Sequence, residues 1–162
     1  MQRMLAFLGV GFGLGYSPFA PGTVGCLLGL PLAWVLNTYA DVPVQVAASL
    51  VLSLAAIPLC SAAEAMLGGK DPKPCVADEY LTFPLCMIGL PVLGQPGGAL
   101  MMAFAFCTNR FFDIVKIWPA HGLQRLKGGF GIVIDDVFAA LYALAVNHVA
   151  YRVFQHLGWI GA

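Results

Sequence analysis

Long apolar runs alternate with short polar segments along this chain, and the run lengths set the first constraint. The run from Val24 to Ala40, counted from Gly22, rises about 28 Å as a helix, close to the roughly 30 Å of membrane hydrocarbon. Pro31 predicts a kink within it. A second run goes from Val44 to about Ala63 and contains Pro58. The stretch from Tyr80 to Leu93 rises only about 21 Å, which fits half of a hairpin better than a full span. Ala99 to Phe112 is apolar again, broken by Asn109 and Arg110, and a last run goes from Ile132 to about Tyr151. Polar segments at 64–79 and 113–131 and turns at 41–43 and 94–98 separate the runs. Residues 9–23, GVGFGLGYSPFAPGT, are punctuated by glycine and proline and argue against a regular helix there.

Composition sharpens this pattern into a membrane reading. The chain is 60% hydrophobic and only 10% charged, and its mean hydropathy is +0.84. Soluble domains carry about a quarter charged residues. The expected fold is therefore all-α: a polytopic integral-membrane helical bundle with cytoplasm-facing polar loops, residues 1–162 forming one membrane-embedded domain. No repeat or linker marks a second domain, and no small-residue cleavage site marks a signal peptide. Net charge is zero and no basic tract exists, so nucleic acid has no electrostatic footprint. The five cysteines lack C-x-x-C spacing, which argues against a zinc site or a disulfide framework.

Lysine and arginine assign the sides. Arg3, Lys70, Lys73, Arg110, Lys116, Arg125 and Lys127 fall in the N-terminal, 64–79 and 109–131 segments, whereas the two turns hold none. The positive-inside rule then turns those three segments to the cytoplasm. Arg152, after the last run, is the exception.

That topology gathers the scarce carboxylates on one face. Asp71, Asp78, Glu79, Asp113, Asp135 and Asp136 border apolar runs, where an uncompensated charge is costly. Hard oxygen donors in that number suit Mg²⁺, Mn²⁺ or Ca²⁺, and Mg²⁺ with a phosphate substrate is the common pairing. Arg110 and Lys116 are candidate phosphate-binding cations. The loop around Gly22 and Thr23 offers backbone N–H groups as an anion cradle, with Thr23 adding a hydroxyl. Each feature has a plainer reading. Asp135 and Asp136 could answer a helix dipole in the first turn of the last run, Asp78 and Glu79 could be solvated loop charges, and Asp113 an interfacial acid. Asp71-Pro72 initiates turns, and Lys70 and Lys73 read as topology anchors. His148 and His156 read as interfacial, and His121 as available for proton transfer.

Several chemistries drop out. Cys107 precedes Arg110 by too few residues for a cysteine phosphatase, and no G-x-S-x-G elbow appears. What remains is metal-assisted hydrolysis. The competing classes are a divalent-cation transporter or channel subunit, which needs acids near mid-membrane, and a soluble helical scaffold.

Four ordered segments carry a resemblance. YSPFAPGTVGCLLGLPLAW at 16–34, KDPKPCVADE at 70–79, NRFFDIVKIWPA at 109–120 and GGFGIVIDDVFAALYA at 128–143 resemble the bacterial phosphatidylglycerophosphatase A family over nearly the whole chain. Ile117, Ala140, Cys26 and the YLTFP segment depart from the family pattern without removing a charged residue. The resemblance implies a multi-pass, Mg²⁺-dependent inner-membrane phosphatase with a cytoplasmic site, acting on a lipid phosphate in phospholipid biosynthesis. It carries over Asp113, Lys116 and Asp136 as catalytic residues. Gly22, Thr23, Arg110 and Lys116 become substrate contacts, and Asp71, Asp78, Glu79, Asp135 and Asp136 metal ligands.

Overall fold

In a computed structural model, residues 2–118, 122 and 128–160 are described. His121, Arg125 and Lys127, assigned above to the cytoplasmic side, lie outside them. The described residues form helices and turns with no strand. In chain order the helices are α1 (Gln2–Gly9), α2 (Pro21–Cys26), α3 (Gly29–Tyr39), α4 (Val42–Leu67), α5 (Ala77–Thr82), α6 (Gly98–Val115) and α7 (Gly129–His156). Among the described residues, four stretches are long and apolar enough to cross a membrane: Pro21–Tyr39, Val42–Leu67, Gly98–Val115 and Gly129–His156.

Local chemistry explains where the runs start and stop. The glycine-rich stretch is a 3₁₀ turn, Gly11–Tyr16, broken by positive φ at Phe12 and Gly13. Regular helix resumes at Pro21, a residue suited to a first helical turn. The expected kink at Pro31 falls four residues earlier. Proline cannot donate to the carbonyl of residue i−4, and its ring clashes there. Around Leu27 and Leu28 the bonds accordingly shorten to the 3₁₀ pattern, Leu28 N–H to Gly25 O and Leu30 N–H to Leu27 O. The expected turn at 41–43 is the start of α4, because Asp41 Oδ1 accepts from Val44 N–H at 3.2 Å and caps it. The same helix runs past Ala63 through Glu64-Ala-Met-Leu, all good helix formers, until Gly68 takes a φ of 77°.

The stretch after α5 departs most from the expected helical form. Phe83–Met87 is a single 3₁₀ segment, and residues 88–97 have no regular structure. Phe83, Cys86, Met87 and Val92 are nonetheless fully buried. Backbone without helical bonding survives in such surroundings only where side chains satisfy it. Asn37 Nδ2 donates to the Met87 and Leu90 carbonyls at 2.5 and 2.8 Å. Asn147 Nδ2 donates to Cys86 O at 2.9 Å, and Gly89 N–H donates to Gln45 Oε1 at 2.8 Å. His148, exposed on α7, bonds the Ile88 carbonyl through Nε2 at 3.0 Å. Asn37 is near the end of α3 and Gln45 near the start of α4. The broken segment therefore runs the length of the bundle, and α6 returns from its far end.

α3, α6 and α7 pack on this segment around one apolar cluster, while α4, α5 and α7 enclose a second. α7 approaches α4 so closely at Gly129 that a Cβ there would overlap the Ile57 carbonyl and Ser61. The Gly129 N–H donates to Ser61 Oγ at 3.0 Å.

Replacing Asn147 with leucine is expected to lower stability by about 1–3 kcal/mol, because the buried Cys86 carbonyl loses its donor. Chemical denaturation of the purified protein in detergent measures this, and a wild-type midpoint would contradict the packing described.

Candidate active site

Three short stretches and one helix end meet at the end of the bundle where α4 finishes. α7 begins at Gly129, so Asp135 and Asp136 occupy its second turn. The dipole favours acids only within the first turn, and these two carboxylates are buried, 3% and 6% exposed. Asp113 is in the last turn of α6, with Arg110 one turn before it. Asn109 and Arg110 do not interrupt α6: Asn109 is buried, its Nδ2 3.9 Å from Cys26 Sγ, and Arg110 has ionic partners. Asp78 and Glu79 stand in the first turn of α5 rather than in a solvated loop. Tyr80 Oη, donating to Leu8 O at 3.0 Å, ties that helix to α1.

These elements enclose a cavity of about 450 Å³. Every residue assigned above to catalysis, substrate contact or metal ligation lines it: Gly22 and Thr23 from α2, Asp71, Asp78 and Glu79, Arg110, Asp113 and Lys116, and Asp135 with Asp136. Lys73, read from sequence as a topology anchor, lines it too. Gly22 is there for space, since a Cβ at that position would collide with the Glu79 carboxylate. Ala20, Asp71 and Lys116, at the cavity wall, hold positive φ of 42°, 50° and 46°. Such strain costs about 1 kcal/mol or more per residue and concentrates at functional sites.

The charges are paired unequally. Arg110 Nη1 is 2.6 Å from Glu79 Oε2, and its Nη2 is 3.0 Å from Asp113 Oδ2. Lys116 Nζ is 2.6 Å from Asp135 Oδ2. Six carboxyl groups thus share the cavity with three cationic side chains, an excess of three negative charges when all are ionised. One carboxylate oxygen each from Asp78, Asp135 and Asp136 is buried without a hydrogen-bond donor. Burial pushes the Asp78 carboxyl well above the usual carboxylate range. Burial likewise lifts Glu79 to about 8, although the Arg110 guanidinium opposes the rise. Burial alone would lower the Lys116 ammonium, and its bond to Asp135 together with the nearby Asp113 and Asp136 carboxyls outweighs that and holds it above its usual range.

Oxygen donors of Asp113, Asp135 and Asp136 lie within 4.8 Å of one another, a spacing one cation can bridge. Orphaned, buried, anionic oxygens facing a hydrophilic cavity are the donor set a hard divalent ion takes, so these residues fit Mg²⁺. Cys60, Cys75 and Asp78 also bring donors within 4.8 Å, on the buried side of the same cavity.

A family model described as Phosphatidylglycerophosphatase A matches residues 7–151. A Phosphatidylglycerophosphatase A of Haemophilus influenzae is 36% identical over 140 residues, covering 86% of this chain and 83% of that one. The Escherichia coli protein of the same name is 34% identical over 150 residues, covering 90% and 83%. A Bacteroides thetaiotaomicron protein with the provisional name phosphatidylinositol-3-phosphatase is 33% identical over 150 residues, covering 88% and 91%. No solved structure matches the chain.

Two outcomes follow from the charge pattern. Arg110→Lys retains the charge but cannot hold Glu79 and Asp113 with one planar fork, so the rate of phosphate release is expected to fall at least about tenfold; a wild-type rate would show that the fork is dispensable. In the cation-free protein, Glu79 titrates near 8 instead of its ordinary 4.5, so the folded state holds a proton that the unfolded chain has lost. Stability then falls as pH rises through that window. Mg²⁺ favours the ionised carboxylates, so it is expected to raise the melting temperature more near pH 8 than near pH 5. Equal shifts at the two pH values would contradict the assignment.

Proposed function

The chain belongs to the phosphatidylglycerophosphatase A family, and on that premise we propose that it hydrolyses phosphatidylglycerophosphate to phosphatidylglycerol and inorganic phosphate in phospholipid biosynthesis. The reading includes a dependence on Mg²⁺ and a cavity that opens on the cytoplasmic face of the bacterial inner membrane. Its main support is the set of unpartnered buried oxygens on Asp78, Asp135 and Asp136, beside a cavity of about 450 Å³ with cations on its wall. Each relative above is named as a phosphatase acting on a phosphorylated phospholipid, which supports the substrate class.

In this reading Asp135 and Asp136 hold Mg²⁺, with Asp78, Glu79 and Asp71 as the remaining acidic ligands or their supports. The bound ion supplies positive charge to the phosphoryl oxygens as negative charge accumulates there. Lys116 grips one oxygen of Asp135 and so aims the other at the cavity. Arg110, Lys116 and Thr23 orient the phosphate, with Gly22 leaving room for the approach of Glu79. Asp113 takes the proton of the attacking water as its oxygen bonds to phosphorus. The ester bond to the glycerol oxygen breaks, and that oxygen receives the proton back from Asp113. Arg110, 3.0 Å from Asp113, holds that carboxylate in place at the cavity wall. Depth speaks against a cation-transport path. The acids collect at one end, and the polar side chains Asn37, Gln45 and His148 in the other half are bonded to backbone.

Purified protein is expected to release phosphate from phosphatidylglycerophosphate only when Mg²⁺ is present, and chelation is expected to stop it. Asp135→Asn and Asp136→Asn should each lower kcat by about 100-fold or more while inserting normally into membranes. Activity that survives chelation, or an Asp135→Asn variant at the wild-type rate, would remove the metal assignment. A cysteine placed at Lys70 should be labelled from the cytoplasmic side; labelling from the periplasm would overturn the orientation.

A further inference from the structure

A second cavity of about 550 Å³, almost wholly apolar, lies one helical turn along the chain from the first on two of its walls. Its walls are α3 and α6. These helices pack on the 83–87 segment rather than mainly on one another, which leaves a groove between them. On one wall Leu27 follows Thr23 by one helical turn, and Leu30 and Trp34 continue away from the acidic end. On the other wall Cys107 precedes Arg110 by one turn, and Ala103 and Ala99 continue in the same direction. From Cys107 to Ala99 the groove runs about 12 Å along α6. Its far end is closed where Trp34 Nε1 donates to the Leu93 carbonyl at 3.0 Å. Leu27 and Cys107 are exposed, so the groove opens sideways out of the bundle along its length.

We propose that this α3–α6 groove binds an acyl chain of the lipid whose phosphate occupies the acidic cavity. The inference rests on the lipid-phosphatase reading above and adds the site that distinguishes a lipid from a soluble phosphate. The order of chemistry along the two walls is the order along such a lipid: charged headgroup at Arg110 and Thr23, hydrocarbon from Leu27 and Cys107 onward. A chain seated there enters from the hydrocarbon layer without crossing polar surface, because the groove mouth lies one helical turn from the acidic cavity. Its contacts are apolar and lie along a surface otherwise left to bulk lipid.

Two measurements test this. Cys107 is exposed while Cys26, Cys60, Cys75 and Cys86 are buried, so N-ethylmaleimide reports on the groove mouth. With the Asp135→Asn chain in detergent, dioleoyl phosphatidylglycerophosphate is expected to slow Cys107 alkylation at least about fivefold. Glycerol 3-phosphate and dioleoyl phosphatidylcholine should leave the rate unchanged. Protection by glycerol 3-phosphate would mean that the headgroup alone shields the thiol, and protection by phosphatidylcholine would mean bulk lipid only; either overturns the proposal. In the second measurement Ala103→Trp fills the groove. It is expected to raise KM for the dioleoyl substrate about tenfold and that for the dihexanoyl substrate less than twofold. Leu54→Trp, on the outward face of α4, should change neither. Equal effects of Ala103→Trp on both substrates, with an unchanged melting temperature, would also overturn it. Wild-type protein that hydrolyses neither lipid would instead remove the phosphatase reading itself.

Discussion

The crowding of six carboxyl groups against three cationic side chains is the constraint on which the rest of this molecule depends. Like charges at such spacing repel strongly away from bulk water, and burial adds a desolvation cost to each. The fold meets this with a chain of bridges. Arg110 joins α5 to α6 through Glu79 while holding Asp113 on its own helix, and Lys116 joins the end of α6 to α7 through Asp135. What these bridges leave unmatched, the orphaned oxygens of Asp78, Asp135 and Asp136, is where a divalent ion is suited to act. Structural cohesion and catalytic potential therefore come from one arrangement of charges.

At the other end of the bundle the problem is of a different kind. There the backbone between Ile88 and Gly97 lacks regular helical bonding inside an apolar interior. Side-chain amides and a histidine from α3, α4 and α7 replace the missing partners. These polar residues look misplaced within hydrophobic runs, yet each has a backbone group to satisfy. The departure from helix also shapes the lateral groove, because α3 and α6 are held apart by the segment between them.

Much of the site was legible in the sequence because acids are rare in it. Each acidic group at the margin of an apolar run was conspicuous, and a single choice of sidedness put all of them together. The groups' local surroundings were less legible. Glu64 and its neighbours looked like a loop because one charge interrupted the run, although the surrounding Ala, Met and Leu sustain the helix to Leu67. Glu79 could be read as solvated because the partner that compensates its burial, Arg110, comes 31 residues later. Lys73 could be counted only toward topology until the fold brought it to the cavity wall. The stretch from Tyr80 to Leu93 was too short for a helical span, and nothing local announced that Asn37, Gln45 and Asn147 would let it cross in another form.

That irregular crossing has a bearing on how the protein is made. A helix can enter a bilayer by itself because its backbone bonds are internal, whereas the Phe83–Gly97 stretch has too few of its own to do so. It must wait for its neighbours, α7 included, which follows it in the chain. Asp78 and Glu79 sit immediately before this late-seated stretch, so the acidic cavity gains all its walls only once α7 has been made. A chain made only as far as α6 thus holds Asp78, Glu79 and Asp113 without the helix that carries Asp135 and Asp136.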